Sequence, residues 1–153
     1  MKRWLIYLAV LVLCGTSANR GTDIGELAPV EVVWLTENAG QVCLKTDTGD
    51  IGRGEDVPSA LCNMKATASG NILLETADYL IVESGKEDLL LQVYDLLRPS
   101  CKVCVARSMP DLEKVAEFFT AHEPEVTLRQ YQVEQCTLLV LGEQEGRFAW
   151  IGE

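Results

Sequence analysis

Past Gly54 the chain alternates between two apolar periodicities, and this limits its fold more than any other feature. Asp56 to Ala66 carries Val57, Ala60, Leu61 and Met64 at helical spacing, with Asp56 placed to cap and Pro58 suited to the first turn. Asn71 to Glu83 follows as an apolar stretch broken at Glu75 to Asp78, which reads as one long bent strand or two. Lys86 to Arg98 then predicts a second helix, with a stripe of Leu89, Leu90, Val93, Leu96 and Leu97 and Pro99 as its stop. Lys102 to Ala106 is a short strand. Pro110 to His122 is a third helix with Ser108 as its expected cap, and Val126 to Val133 alternates as a strand does.

Each end of this alternation is framed by a hairpin. Pro29 to Leu35 and Gln41 to Thr46 read as paired strands around Asn38-Ala39-Gly40, and Asp47 to Gly54 reads as a glycine-rich loop. Thr137 to Leu141 and Arg147 to Ile151 form the closing hairpin across Glu143 to Gly146. Strands that alternate with helices favour parallel neighbours joined by right-handed crossovers. The fold class expected is therefore α/β: a mixed sheet with a parallel βαβ core, terminal antiparallel hairpins and about three helices.

The first residues have a different character. Met1, Lys2 and Arg3 are followed by the uncharged run Trp4 to Leu13 and the small residues Cys14 to Ala18. A basic start, an apolar stretch and a small-residue zone make a secretory signal. The apolar run is about 10 residues, against about 20 for a spanning helix. Two exits remain open. Cleavage after Ala18 would release the chain, whereas lipidation at Cys14, preceded by Leu11-Val12-Leu13, would anchor it to the outer face of the membrane. The expected organisation is a signal over 1–18 (or a lipoprotein signal ending at Cys14), a short linker over 19–28 and a single domain over 29–153. Loss of Lys2 and Arg3 takes the net charge from −10 to −12. So acidic a domain repels phosphate backbones, and nucleic acid is not expected as a partner.

Three groups of residues invite a chemical reading. Asp47-Thr48-Gly49 spells the aspartic-protease triplet, which would need a dimer to pair its carboxylates. Asp50 follows where a small residue is expected, and helices do not suit an all-β protease, so a solvated turn is the simpler reading. Cys101-Lys102-Val103-Cys104 has redox spacing. The pair lies at the start of a strand, where alternation sends the two side chains to opposite faces, and buried structural thiols are favoured over a redox site. His122 ends a helix, where it most simply meets the negative end of the helix dipole. No catalytic set, cofactor or metal site is expected. Five cysteines after the signal (Cys43, Cys62, Cys101, Cys104 and Cys136) leave an odd thiol.

Several short segments together carry a family resemblance. They are the signal with Cys14, Gly25 to Val30 with the hairpin after it, Gly54 to Leu61, Leu73 to Val82, and Leu96-Leu97-Arg98 with the strand and helix that follow. Over about Gly25 to Phe119 the chain resembles the N-terminal domain of the spore germinant receptor C subunit, a lipoprotein on the outer face of the spore inner membrane. Where that family has a histidine, this chain has Glu75-Thr76-Ala77-Asp78. The resemblance implies a stand-alone relative of that domain. It also implies an extracytoplasmic, membrane-associated, non-enzymatic role in contact with other envelope proteins, in sporulation or germination. It names no small-molecule ligand. The rival reading from the residues is a thiol-dependent redox protein using Cys101 and Cys104. A dimeric aspartic protease using Asp47 is more remote.

Overall fold

The computed structural model of the protein describes residues 27–151. The expected signal over 1–18, Cys14 and all but the end of the expected linker lie outside them. Two strands form first around a tight turn: β2 (Val32–Asn38) and β3 (Gln41–Thr46). Ala39 and Gly40 both have positive φ, 52° and 75°, as a two-residue hairpin of the type that matches strand twist requires. Preceding them, β1 (Leu27–Pro29) pairs in parallel with β5 (Asn71–Leu73) as a separate two-stranded sheet.

The glycine-rich segment after β3 is only half a loop. Asp47 to Asp50 turn, and Ile51–Gly54 is a strand, β4, antiparallel to β3. Its glycines serve close packing. A Cβ on Gly52 would lie 2.1 Å from the Ala60 carbonyl oxygen, and one on Gly54 would lie 2.4 Å from the Ala60 nitrogen. Both glycines therefore let β4 rest directly on α1 (Val57–Thr67). That helix forms as expected. The Asp56 carboxylate accepts from the Ser59 amide at 2.7 Å, and Val57, Ala60, Leu61 and Met64 turn inward.

The stretch after α1 makes two strands in different sheets. A 3₁₀ turn at Leu74–Thr76 separates β5 from β6 (Tyr79–Glu83), the most enclosed strand, in which Leu80, Ile81 and Val82 have no exposed surface. The expected helix over Lys86 to Arg98 is replaced by a 3₁₀ turn at Glu87–Leu91 and a run of turns. Its apolar stripe is still used, since Leu89, Leu90, Val93 and Leu97 are buried. Contacts at either end set its path. The Gln92 side chain accepts from the Val57 amide at 3.3 Å, and the Arg98 guanidinium donates to the Ala77 carbonyl at 3.0 Å and bonds the Asp78 carboxylate. Local propensity yields to these tertiary ties.

Two further expectations need correction beyond β7 (Lys102–Ala106). The next helix, α2 (Leu112–Ala121), is capped by Asp111 and not Ser108. Pro110 disfavours helical backbone at Met109, so the helix cannot start from Ser108. The expected strand Val126 to Val133 is instead helical over α3 (Leu128–Glu134). A capping box decides it: the Gln130 amide donates to Thr127 Oγ1 at 3.2 Å, and the Thr127 amide donates to Gln130 Oε1 at 2.9 Å. The chain closes with β8 (Val140–Gln144) and β9 (Arg147–Ile151), a hairpin across Glu145 and Gly146.

The main sheet has seven strands in the order β4-β3-β2-β6-β7-β8-β9. Its central four run parallel and antiparallel pairs flank them on both sides. The mixed α/β class expected from the sequence is the class the chain adopts, although one of its three helices stands where a strand was predicted. One sheet face packs on α1, the Glu87–Leu97 segment and α3. Among the described residues the other packs on α2 alone, through Leu112, Val115 and Phe119, with Trp34, Tyr79, Phe148 and Trp150.

Candidate functional site

The residues singled out by sequence are dispersed. Cys101 lies in the core under the first face, just before β7, while Cys104 lies in the α2 core on the other face. Both are fully buried. Burial pushes the Cys101 thiol up to about 12, with the charge of Arg98 pulling the other way. Burial pushes Cys104 up as well, and a charge on Cys101 would add to the effect. Neither thiol sits at a helix N-terminus, where a redox cysteine gains its reactivity.

Asp47 has a backbone duty. It opens the β3–β4 turn, and its carboxylate accepts from the Glu31 amide at 3.2 and 3.3 Å. Thr48 Oγ1 donates to Asp50 Oδ2 at 2.8 Å, which ties the same turn. The triplet thus ties the β3–β4 turn to the residue before β2. His122 is the C-cap residue of α2 and stacks on Phe118, ring centroids 4.7 Å apart. A shallow cleft beside α2 is lined by Glu31, Asp47, Glu113 and Glu117. Among the described residues no group of three or more His, Cys, Asp or Glu side chains could hold a metal ion.

The site the fold does build was missed in the sequence. The core under α2 includes residues of β2, β6, β7, β8 and β9 but none of β3 or β4. Among the described residues no element covers β3 and β4 on that side, while Trp34 and Thr36 of β2 form the buried floor at the edge of this open face. Strand register sets its side chains in rows: Trp34, Lys45 and Ile51 in one, Thr36, Cys43 and Arg53 in the next, and Asn38 with Gln41 at the hairpin end. Met109, from the loop that leads out of β7, stands over the rows and completes a groove of about 470 Å³. Among the described residues no carboxylate lines the groove. Thr36 turns its hydroxyl to the Glu83 carboxylate on β6. Ile51 and Met109 are 42% and 48% exposed, two of the four large apolar side chains the described domain leaves in solvent. The signal for this face was available in outline. Gly52 and Gly54 had to face a close neighbour, which sends Ile51 and Arg53 to the opposite side.

No protein-family model, curated protein or solved structure matches the chain.

Proposed function

We propose that this chain is a non-catalytic, extracytoplasmic, membrane-associated protein that works by binding other envelope components, in a sporulation or germination setting. The observation that carries the binding role is the open groove on β2, β3 and β4. It is a concave surface on a domain whose other sheet face is packed, and it offers the exposed Ile51, Met109 and Arg53 and the half-buried Lys45. Export is supported by the order of residues from Met1 to Ala18, and membrane association by Cys14 at the end of the apolar run. The segments from Gly25 to Phe119 that resemble the germinant receptor C subunit support the sporulation setting. Cys101 and Cys104 are spent in the two cores, which speaks against thiol chemistry at that pair.

Cell fractionation with intact-mass analysis tests the reading. The protein should be found in the envelope fraction, with a mass that corresponds either to lipidated Cys14 or to a chain starting after Ala18. A full-length chain recovered from the cytosol overturns it.

A further inference from the structure

We infer that the open face of β2, β3 and β4 docks an acidic, extended polypeptide segment of a partner protein, its carboxylates between Lys45 and Arg53 and an apolar side chain against Ile51 and Met109. The inference deepens the binding role proposed above and rests on it, but does not depend on export.

Charge is the first argument. The chain has 23 acidic residues against 13 basic ones, yet among the described residues the groove has two cations and no carboxylate in its lining. Lys45 is opposite Ile51 and Arg53 is opposite Cys43, so the two cations are diagonal neighbours on one face. Side chains in that relation lie roughly 7–8 Å apart at the backbone, and like charges so placed repel. Among the described residues neither cation takes part in an ion pair. Lys86, Arg98 and Lys114 do, each with a carboxylate of this chain. Of the other described cations, Lys65, Lys102, Arg107, Arg129 and Arg147 share the unpaired state of the two groove cations, so it is their adjacency that sets Lys45 and Arg53 apart. A carboxylate between Lys45 and Arg53 would relieve the repulsion on the groove side, Lys45 bordering on its other side a cleft lined by Asp47, Asp111 and Glu113.

Shape gives the second argument. Three rows of side chains along a strand span roughly 13 Å, the length of about four extended residues. Ile51 at one side and Met109 above provide an apolar contact, and methionine adapts to varied partners. The partner does not simply extend the sheet at Arg53, whose backbone amide already donates to Asn63 Oδ1 at 3.0 Å. Recognition therefore runs through side chains on the face. A groove is also the wrong relief for a flat bilayer, which needs protruding apolar groups.

The test is a titration of the isotope-labelled full chain, purified in the form the cell yields. The probe is an acetylated Glu-Leu-Glu-Leu-Glu peptide, with its Lys-Leu-Lys-Leu-Lys counterpart beside it. The acidic peptide should give saturable amide shifts confined to β2, β3, β4 and Met109, weakening with added salt. The Lys45→Glu/Arg53→Glu double variant should lose at least about tenfold in affinity. Should that variant disturb the amide spectrum throughout, Lys45→Gln/Arg53→Gln takes its place. Absence of a saturable shift, an equal response to the basic peptide, or undiminished binding by the variant each overturns the inference. So does Lys45- and Arg53-dependent binding to phosphatidylglycerol vesicles without a peptide response, which would make the face a lipid surface. Concentration-dependent shifts of the same amides without peptide also overturn it, because a second copy would then fill the groove. Cytosolic fractionation with intact peptide binding would remove the export reading and leave this one standing.

Discussion

Gly52 and Gly49 lie three residues apart and are needed for different reasons, which single substitutions separate. At Gly52 an added Cβ meets the Ala60 carbonyl at 2.1 Å and Met64 Cβ at 2.7 Å, so β4 and α1 must part. At Gly49 the Cβ meets nothing within 4 Å, and the cost comes from φ +89° alone. Gly49→Ala should cost about 1 kcal/mol. Gly52→Ala should cost more, about 2–3 kcal/mol. Urea unfolding of the two variants checks the order, and a milder Gly52→Ala would mean that the helix gives way easily. The thiols make a second comparison. Cys62 is exposed and Cys101 and Cys104 are buried, so iodoacetamide near neutral pH should label Cys62 in the folded protein and reach the buried pair only in denaturant. Rapid native labelling of either buried thiol would reopen the redox reading. The same burial predicts an alkaline loss of stability. Cys101 holds its proton to about 12 when folded, whereas an unfolded cysteine loses it near about 8.5. Between those values the native state binds more protons than the unfolded state, so stability falls as pH rises, by at most about 1.4 kcal/mol per pH unit for this thiol. Cys104, also shifted upward, adds to the fall over the same range, and Tyr79 adds to it above about pH 10, where an unfolded tyrosine ionises. Urea midpoints from pH 8 to 10 should drop for the parent and drop less for Cys101→Ala; equal slopes would deny the shift.

At the scale of elements, the sequence was legible where local chemistry and tertiary contacts agree. Asp56, Pro58 and the Val57 to Met64 stripe all point to α1, and the chain forms it. Lys102 to Ala106 is strand both by pattern and by position in the middle of the sheet. Two segments went the other way for opposite reasons. Lys86 to Arg98 has a helical stripe, but ties to Val57 and Ala77 draw it into 3₁₀ and irregular turns. Val126 to Val133 alternates, but the Thr127 and Gln130 reciprocal cap starts a helix that the alternation conceals. In α3 only Leu128 is fully buried, so its stability leans on that cap. Thr127→Ala should therefore destabilise the protein by about 1 kcal/mol. Amide exchange should quicken at Gln130 and Tyr131 in this variant while β6 amides keep their rates. No change at α3 would show that packing of Leu128 and Tyr131, and not the cap, holds the helix. The groove was the least legible feature because it depends on how far the cover of α2 reaches among the described residues, which stops short of β3 and β4. A strand pattern tells which side chains share a face, but not whether a helix will be laid over it.

Across the whole molecule, the cover over the sheet is uneven. The central strands are sandwiched: β6 lies between Leu80 and Val82 in one core and Ile81 in the other, and β7 does the same with Val103 and Val105 against Cys104. At the β4-β3-β2 end one face packs on α1 and the other is open to the groove. Burial on two faces keeps water from the backbone, whereas an open face lets strands part at lower cost. Hydrogen exchange of the native protein should therefore rank β6 and β7 slowest, with Leu80 and Ile81 exchanging only through global unfolding. The amides of β4 should exchange faster through a smaller opening that leaves the parallel centre intact. Docking on the open face changes that ranking in a definite way. A segment that binds across β2, β3 and β4 has affinity only for the state in which those strands are paired, so it raises the cost of their opening and not of the centre's. Saturation with the acidic peptide should slow exchange in β3 and β4 and leave β6 and β7 near their previous rates. Uniform slowing of every strand would mean that the β3–β4 end and the parallel centre open as one unit, and that the uneven cover has no consequence for motion.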